Sequence, residues 1–165
     1  MRSVVAVTLS AILLLALVGC ERWALDRQME ELCKKDGGVK VYDTVALPAR
    51  YFEHDGRLRM SQSMPYGTKS NGEDARFERV GDDEYRVVSK KIYLVGKDAD
   101  PTKGEGNLAR RHTAVYRWSD KHLLGESVEY WRGGGDGFTF GFQPSGNVCP
   151  RPLVDIVQSV FLKGK

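Results

Sequence analysis

The chain carries 25 basic and 22 acidic residues among 165, is 41% hydrophobic, and has three cysteines and three histidines. This near balance, without a basic run or charge block, argues against nucleic acid as a partner. The length suits one domain with a core of its own.

Arg2 supplies a positive charge, and Val4 to Val18 is apolar apart from Thr8 and Ser10. Such a run is shorter than the about 20 residues a helix needs to cross a hydrocarbon core. A charged start, an apolar middle and a small-residue exit read as an export signal. The exit, Leu17-Val18-Gly19-Cys20, resembles the lipobox of bacterial lipoprotein precursors. The resemblance implies cleavage of the signal at 1–19, a diacylglycerol on the Cys20 thiol, and a further acyl chain such as palmitate on its freed amino group. Residues 20–165 then form one globular domain tethered to the membrane by two or three chains, where a single chain would hold only marginally. An uncleaved membrane anchor, or an ordinary signal with a coincidental cysteine, is the competing reading. Glu21 rather than Asp follows Cys20, which by the same resemblance favours the outer membrane over the inner.

Within the domain, Trp23, Leu25, Met29, Leu32 and Cys33 recur at helical spacing between Arg22 and Lys35, and Asp36-Gly37-Gly38 supplies a helix stop. Val39 to Leu47 alternates as a half-buried strand, with Asp43 the one misfit on its apolar side and Pro48 ending it. The run from Asp36 to Val45 resembles a segment of small uncharacterised proteobacterial lipoproteins, which implies a location and no activity. Glu53 to Arg76 is rich in turn chemistry and reads as a long polar loop with room for one short hairpin. From Phe77 strands dominate: Tyr85 to Val95, then Ala109 to Trp118 and Leu123 to Trp131. The last two, joined by Ser119-Asp120-Lys121-His122, predict an antiparallel hairpin. A glycine-rich break at 133–137 precedes the alternating aromatics of Phe138 to Phe142. Pro152 can open a final helix with Leu153, Ile156, Val157, Val160 and Phe161 on one face. The expected fold is α+β, an antiparallel β-meander with an N-terminal and a C-terminal helix packed against one face.

With Cys20 taken by lipid, Cys33 and Cys149 remain. In the oxidising compartment that an export signal implies, they predict a disulfide between the two helical regions; a pair of buried free thiols is the alternative.

Catalytic and metal chemistry need convergent groups. His54, His112 and His122 stand apart in sequence with no ligand at helical or turn spacing, so neither a metal nor any cofactor beyond the covalent lipid is expected. Motifs for a nucleophile elbow, a zinc protease helix or a phosphate loop are missing from the sequence. Asp98, Asp100 and Asp136 lack the ligand succession of a calcium loop and read as turn residues. Phe138, Phe140 and Phe142, near Tyr130 and Trp131, are either core or a contact patch for an envelope protein or glycan. The sequence thus points to a lipid-anchored, non-enzymatic binding module of the cell envelope, or more narrowly an inhibitor or exclusion factor. The alternative is a hydrolase whose acid and base, among Glu126, Glu129, Asp136 and His122, meet only in the fold; no catalytic residue is assigned.

Overall fold

A computed structural model gives the fold for residues 20–59, 67–68, 73–80, 83–137 and 143–164. It is α+β, built around an antiparallel meander. Helix α1 (Cys20–Asp36) leads into β1 (Gly38–Val41) and β2 (Val45–Leu47), followed by a 3-10 turn at Ala49–Tyr51. β3 (Gly67–Thr68), β4 (Glu73–Val80), β5 (Asp83–Val95), β6 (Asn107–Arg117), β7 (His122–Gly133) and β8 (Gly146–Cys149) complete the main sheet. A short helix α2 (Ile156–Val160) then passes into β9 (Phe161–Lys163).

The main sheet has the order β1-β7-β6-β5-β4-β3, with β8 also on β7. β1 pairs with Gly125–Val128 and β8 with Tyr130–Gly133, so these two short strands lie end to end along one side of β7. The predicted hairpin is present, with Asn107 opposite Gly133 and Arg117 opposite His122. The turn-rich stretch holds the pairing of β3 with the start of β4.

Alternate residues of a strand face opposite sides of a sheet, and this separates two clusters. On one face Leu25, Met29 and Cys33, spaced four apart on α1, bury against Leu108, Val128 and Tyr130. On the other, Ile156, Val157 and Val160 of α2 pack with Leu47, Phe52, Phe161, Tyr85, Val115 and Leu124. Leu108 and Val115 are seven apart on β6, an odd separation, and so project to opposite sides. The two helices therefore cover opposite faces and not the single face expected. Each fully buried aliphatic side chain of this kind contributes on the order of 1.5–3 kcal/mol.

Cys33 and Cys149 form a disulfide with Cα atoms 6.1 Å apart. It ties the last turn of α1 to the end of β8, the strand that leads towards α2. Gly37 makes this corner possible. Its N–H closes the helix on the Cys33 carbonyl at 2.8 Å, and a Cβ there would lie 2.6 Å from both the Cys33 carbonyl oxygen and its sulfur.

Two other expectations change. The single strand from Val39 to Leu47 is two strands: β1 joins the main sheet, while β2 pairs in parallel with β9. The cause is a bulge in β7. The β6–β7 register shifts at Leu124, whose side chain enters the core and whose carbonyl accepts the N–H groups of both Tyr42 (2.8 Å) and Asp43 (3.0 Å). One carbonyl with two donors turns the chain out of the sheet. At the C-terminus the helix begins at Ile156, not Pro152. Asp155 caps it by accepting from Val157 N–H at 2.9 Å, and Leu153 lies exposed ahead of it.

Candidate functional site

The Leu124 bulge also positions a side chain. Tyr42, released from β1, lays its phenol back over β7 and donates to Glu126 Oε1 at 2.5 Å. The other oxygen, Oε2, lies 2.8 Å from His112 Nε2; with a carboxylate as acceptor, the imidazole is the donor. Glu126 sits on β7 diagonally across from His112 on β6, two residue pairs apart along the ladder and so on the same face. Lys40 faces Glu126 and Lys90 faces His112 on the flanking strands, so basic side chains rim the cluster. Tyr42 remains 54% exposed while its hydroxyl is fixed. Hydrogen bonds from Tyr42 and then His112 hold the Glu126 carboxyl below its usual range, outweighing desolvation. The same bond to Glu126 raises Tyr42, keeping its phenol protonated and donating.

A second cluster adjoins it on the same face. Asp36, closing α1, accepts from Tyr130 Oη at 2.6 Å and from Arg110 Nη2 at 3.0 Å. Tyr130's hydrogen bond, followed by the Arg110 contact, places the Asp36 carboxyl below its ordinary value despite partial burial. This cluster ties the end of α1 to the sheet beside the site and stiffens the sheet there.

A third lies at the far end of β7. Arg132, its side chain 1% exposed, reaches Asp26 of α1 at 2.8 Å and also donates to the Gly134 carbonyl, the Ser145 carbonyl and Ser145 Oγ. Asn147 joins at Asp26 Oδ1, and Asp136 accepts from Ser145 N–H and Oγ. Nε, Nη1 and Nη2 of the guanidinium all donate to the protein's own oxygens, so this network holds α1, β7 and β8 together.

The four residues considered for hydrolysis are not brought together. Glu126 and Glu129 are three apart on β7 and point to opposite faces. Glu129 accepts from Trp131 Nε1, Asp136 is held by Ser145, and His122 lies 3.6 Å from Asp43 at the other end of the strand. Asp100 caps the Pro101–Lys103 turn by accepting from Thr102 N–H. Among the described residues, no group of three His, Cys, Asp or Glu side chains is placed to hold a metal ion. Phe138, Phe140 and Phe142 lie outside the described residues. Cys20 is the first residue of α1.

The chain matches no protein-family model, no curated protein and no solved structure. Its own geometry is therefore what bears on function. Sequence reasoning missed Tyr42 and His112 around Glu126, and Arg110 with Tyr130 around Asp36, because these hydrogen bonds span from 14 to 94 residues of chain.

Proposed function

We propose that the protein is a lipid-anchored component of the bacterial cell envelope that binds another envelope protein through the sheet face around Tyr42. In this reading residues 1–19 are removed, Cys20 bears the lipid, and the outer membrane is the destination. The apolar leader ending in Leu17-Val18-Gly19-Cys20 supports the address. The Cys33–Cys149 bridge supports an oxidising compartment.

The observation that carries the binding assignment is the exposed Tyr42 ring whose hydroxyl is locked on Glu126, itself braced by His112. A tyrosine already immobilised loses little side-chain freedom on contact, which is why rigid aromatics serve as interface anchors. The lysine rim at Lys40 and Lys90 favours a partner with acidic groups at its periphery.

The test is photo-crosslinking in intact cells, with a photoreactive phenylalanine analogue at position 42 and, as control, at Lys34 on the outer side of α1. The expected result is a discrete protein adduct from position 42 that position 34 does not give. Recovery of no enriched partner from position 42 across several growth conditions would overturn the assignment.

A further inference from the structure

We infer that one end of the sheet rests directly on the bilayer, with Trp23 and the run Ile92-Tyr93-Leu94 as its interfacial contacts. The inference builds on the anchoring of Cys20 proposed above and adds an orientation to it.

Its first support is the lack of slack between Cys20 and the folded domain. Glu21 Oε1 accepts from Gly106 N–H at 3.3 Å, Arg22 N–H donates to the Gly135 carbonyl at 3.1 Å, and Leu25 is already in the core. A lipid on Cys20 is thus attached to α1 itself and not to a flexible tether. At a helical rise of about 1.5 Å per residue, Trp23 stands only about 5 Å along the axis from the anchored residue. It cannot leave the headgroup region while the acyl chains remain inserted.

The second support is what else occupies that end. The connection between β5 and β6 and the one leaving β7 meet there, Gly137 N–H donating to the Gly104 carbonyl at 3.3 Å. Gly104 is left-handed at φ 87°, and a Cβ on it would collide with Gly137, so the two connections form one compact surface. Beside them β5 finishes with three consecutive exposed apolar side chains, Ile92, Tyr93 and Leu94, while Trp23 is 64% exposed on α1. Among the described residues, β4 accompanies β5 only as far as Lys90. Tryptophan and tyrosine favour the membrane interface, where the ring is shielded and the polar edge stays wet. The Tyr93 hydroxyl accepts from Lys91 Nζ at 2.8 Å, an arrangement suited to that boundary.

Charge is not the attraction here. Arg22 is paired with Asp136, Arg27 with Glu31 and Lys103 with Asp100. The contact is apolar and aromatic, so salt should not release it. The turn at Ser119–Lys121 then points away from the membrane, about 35 Å off, given the span of β6 at about 3.4 Å per residue.

Trp23 and Trp118 report the two ends. The full chain is exported and processed in cells, purified with its lipid, and placed in phosphatidylcholine vesicles whose acyl chains are brominated and quench nearby indoles. One protein carries Trp118→Phe and Trp131→Phe, keeping Trp23; the other carries Trp23→Phe and Trp131→Phe, keeping Trp118. Intact mass and vesicle flotation of the same samples report the lipid separately. The expected result is loss of most Trp23 emission, unchanged in high salt, with Trp118 emission unaffected. If both proteins carry the lipid and float while Trp23 is quenched no more than Trp118, the docked orientation is wrong and the anchor stands. If neither lipid mass nor flotation is found, anchoring and orientation fall together.

Discussion

Arg132 on β7 and Asp26 on α1 meet at 2.8 Å, and of the two only Asp26 keeps any access to water. A guanidinium so deeply buried is tolerable because the helix brings a carboxylate to it. Replacing Asp26 with Ala should therefore remove about 3 kcal/mol of stability, since it leaves a buried charge without its counterion. Urea unfolding checks this, and the double variant Asp26→Leu, Arg132→Met should unfold at a higher urea concentration than Asp26→Ala alone. Equal midpoints for Asp26→Ala and the native protein would mean the pair carries no such load.

Acid should loosen the fold. Burial works to raise the Asp26 carboxyl, but hydrogen bonds from Arg132 and Asn147 outweigh it, and Asp36 and Glu126 are lowered by Tyr130 and Tyr42 respectively. Carboxyls lowered in the folded state contribute stability that is present above their unfolded-state value and lost as pH falls through the folded one. The unfolding free energy should thus decline as pH falls through the ordinary carboxyl range of about 4 and keep declining until these carboxyls are protonated in the folded state. Asp36→Asn and Glu126→Gln should each flatten that decline. Stability independent of pH over this window would contradict the assignment of these carboxylates as ionised hydrogen-bond acceptors.

Removing the Cys33–Cys149 bridge opens a loop with a sequence separation of 116. On the chain-entropy view the loss is about 4 to 5 kcal/mol, among the larger single effects available to a domain of this size. The Cys33→Ser, Cys149→Ser double variant should show a greatly lowered melting temperature, and α1 should become the first segment to exchange its amide hydrogens. Unchanged protection of α1 would show that the Arg132 network alone holds the helix.

Gly37→Ala is a sharp local test. Its new methyl would lie against the Cys33 backbone and sulfur, atoms that the disulfide prevents from moving aside. The expected loss is about 1 to 3 kcal/mol, the range for forcing an atom into a packed site. In the Cys33→Ser, Cys149→Ser background the same substitution should be milder, which a double-mutant cycle reads directly. Equal effects in both backgrounds would locate the strain elsewhere.

Much of this architecture is legible in the residues, and the exceptions have physical causes. The β6–β7 hairpin is plain because two β-prone runs flank a four-residue polar connection, and α1 is plain because Leu25, Met29 and Cys33 fall four apart. Asp43 was the one misfit in an alternating strand, and it marks where that strand breaks; a misfit of that kind can be read as a boundary. Asp155 carries the better start signal for α2, an N-cap side chain directly before the apolar turn, whereas Pro152 only permits a helix to begin. The spacing of Glu126 and Glu129 already places them on opposite faces of any regular strand. What no local pattern reveals is the bulge at Leu124, since an extra residue in β7 is defined only by its partner β6. Tyr42 reaches Glu126, which His112 holds from the other side, only because of that bulge, so the cluster stayed hidden. Arg132 looks like any surface arginine in an alternating strand until α1 covers it with Asp26.

The most direct measurement is the intact mass of the protein purified from membranes of cells expressing the full chain. A polypeptide beginning at residue 20, heavier by a diacylglycerol and an acyl chain and lighter by the two hydrogens of the Cys33–Cys149 bond, is the predicted result. A chain still beginning at Met1, with an unmodified thiol at Cys20, would contradict the anchoring and every inference of place and orientation drawn from it.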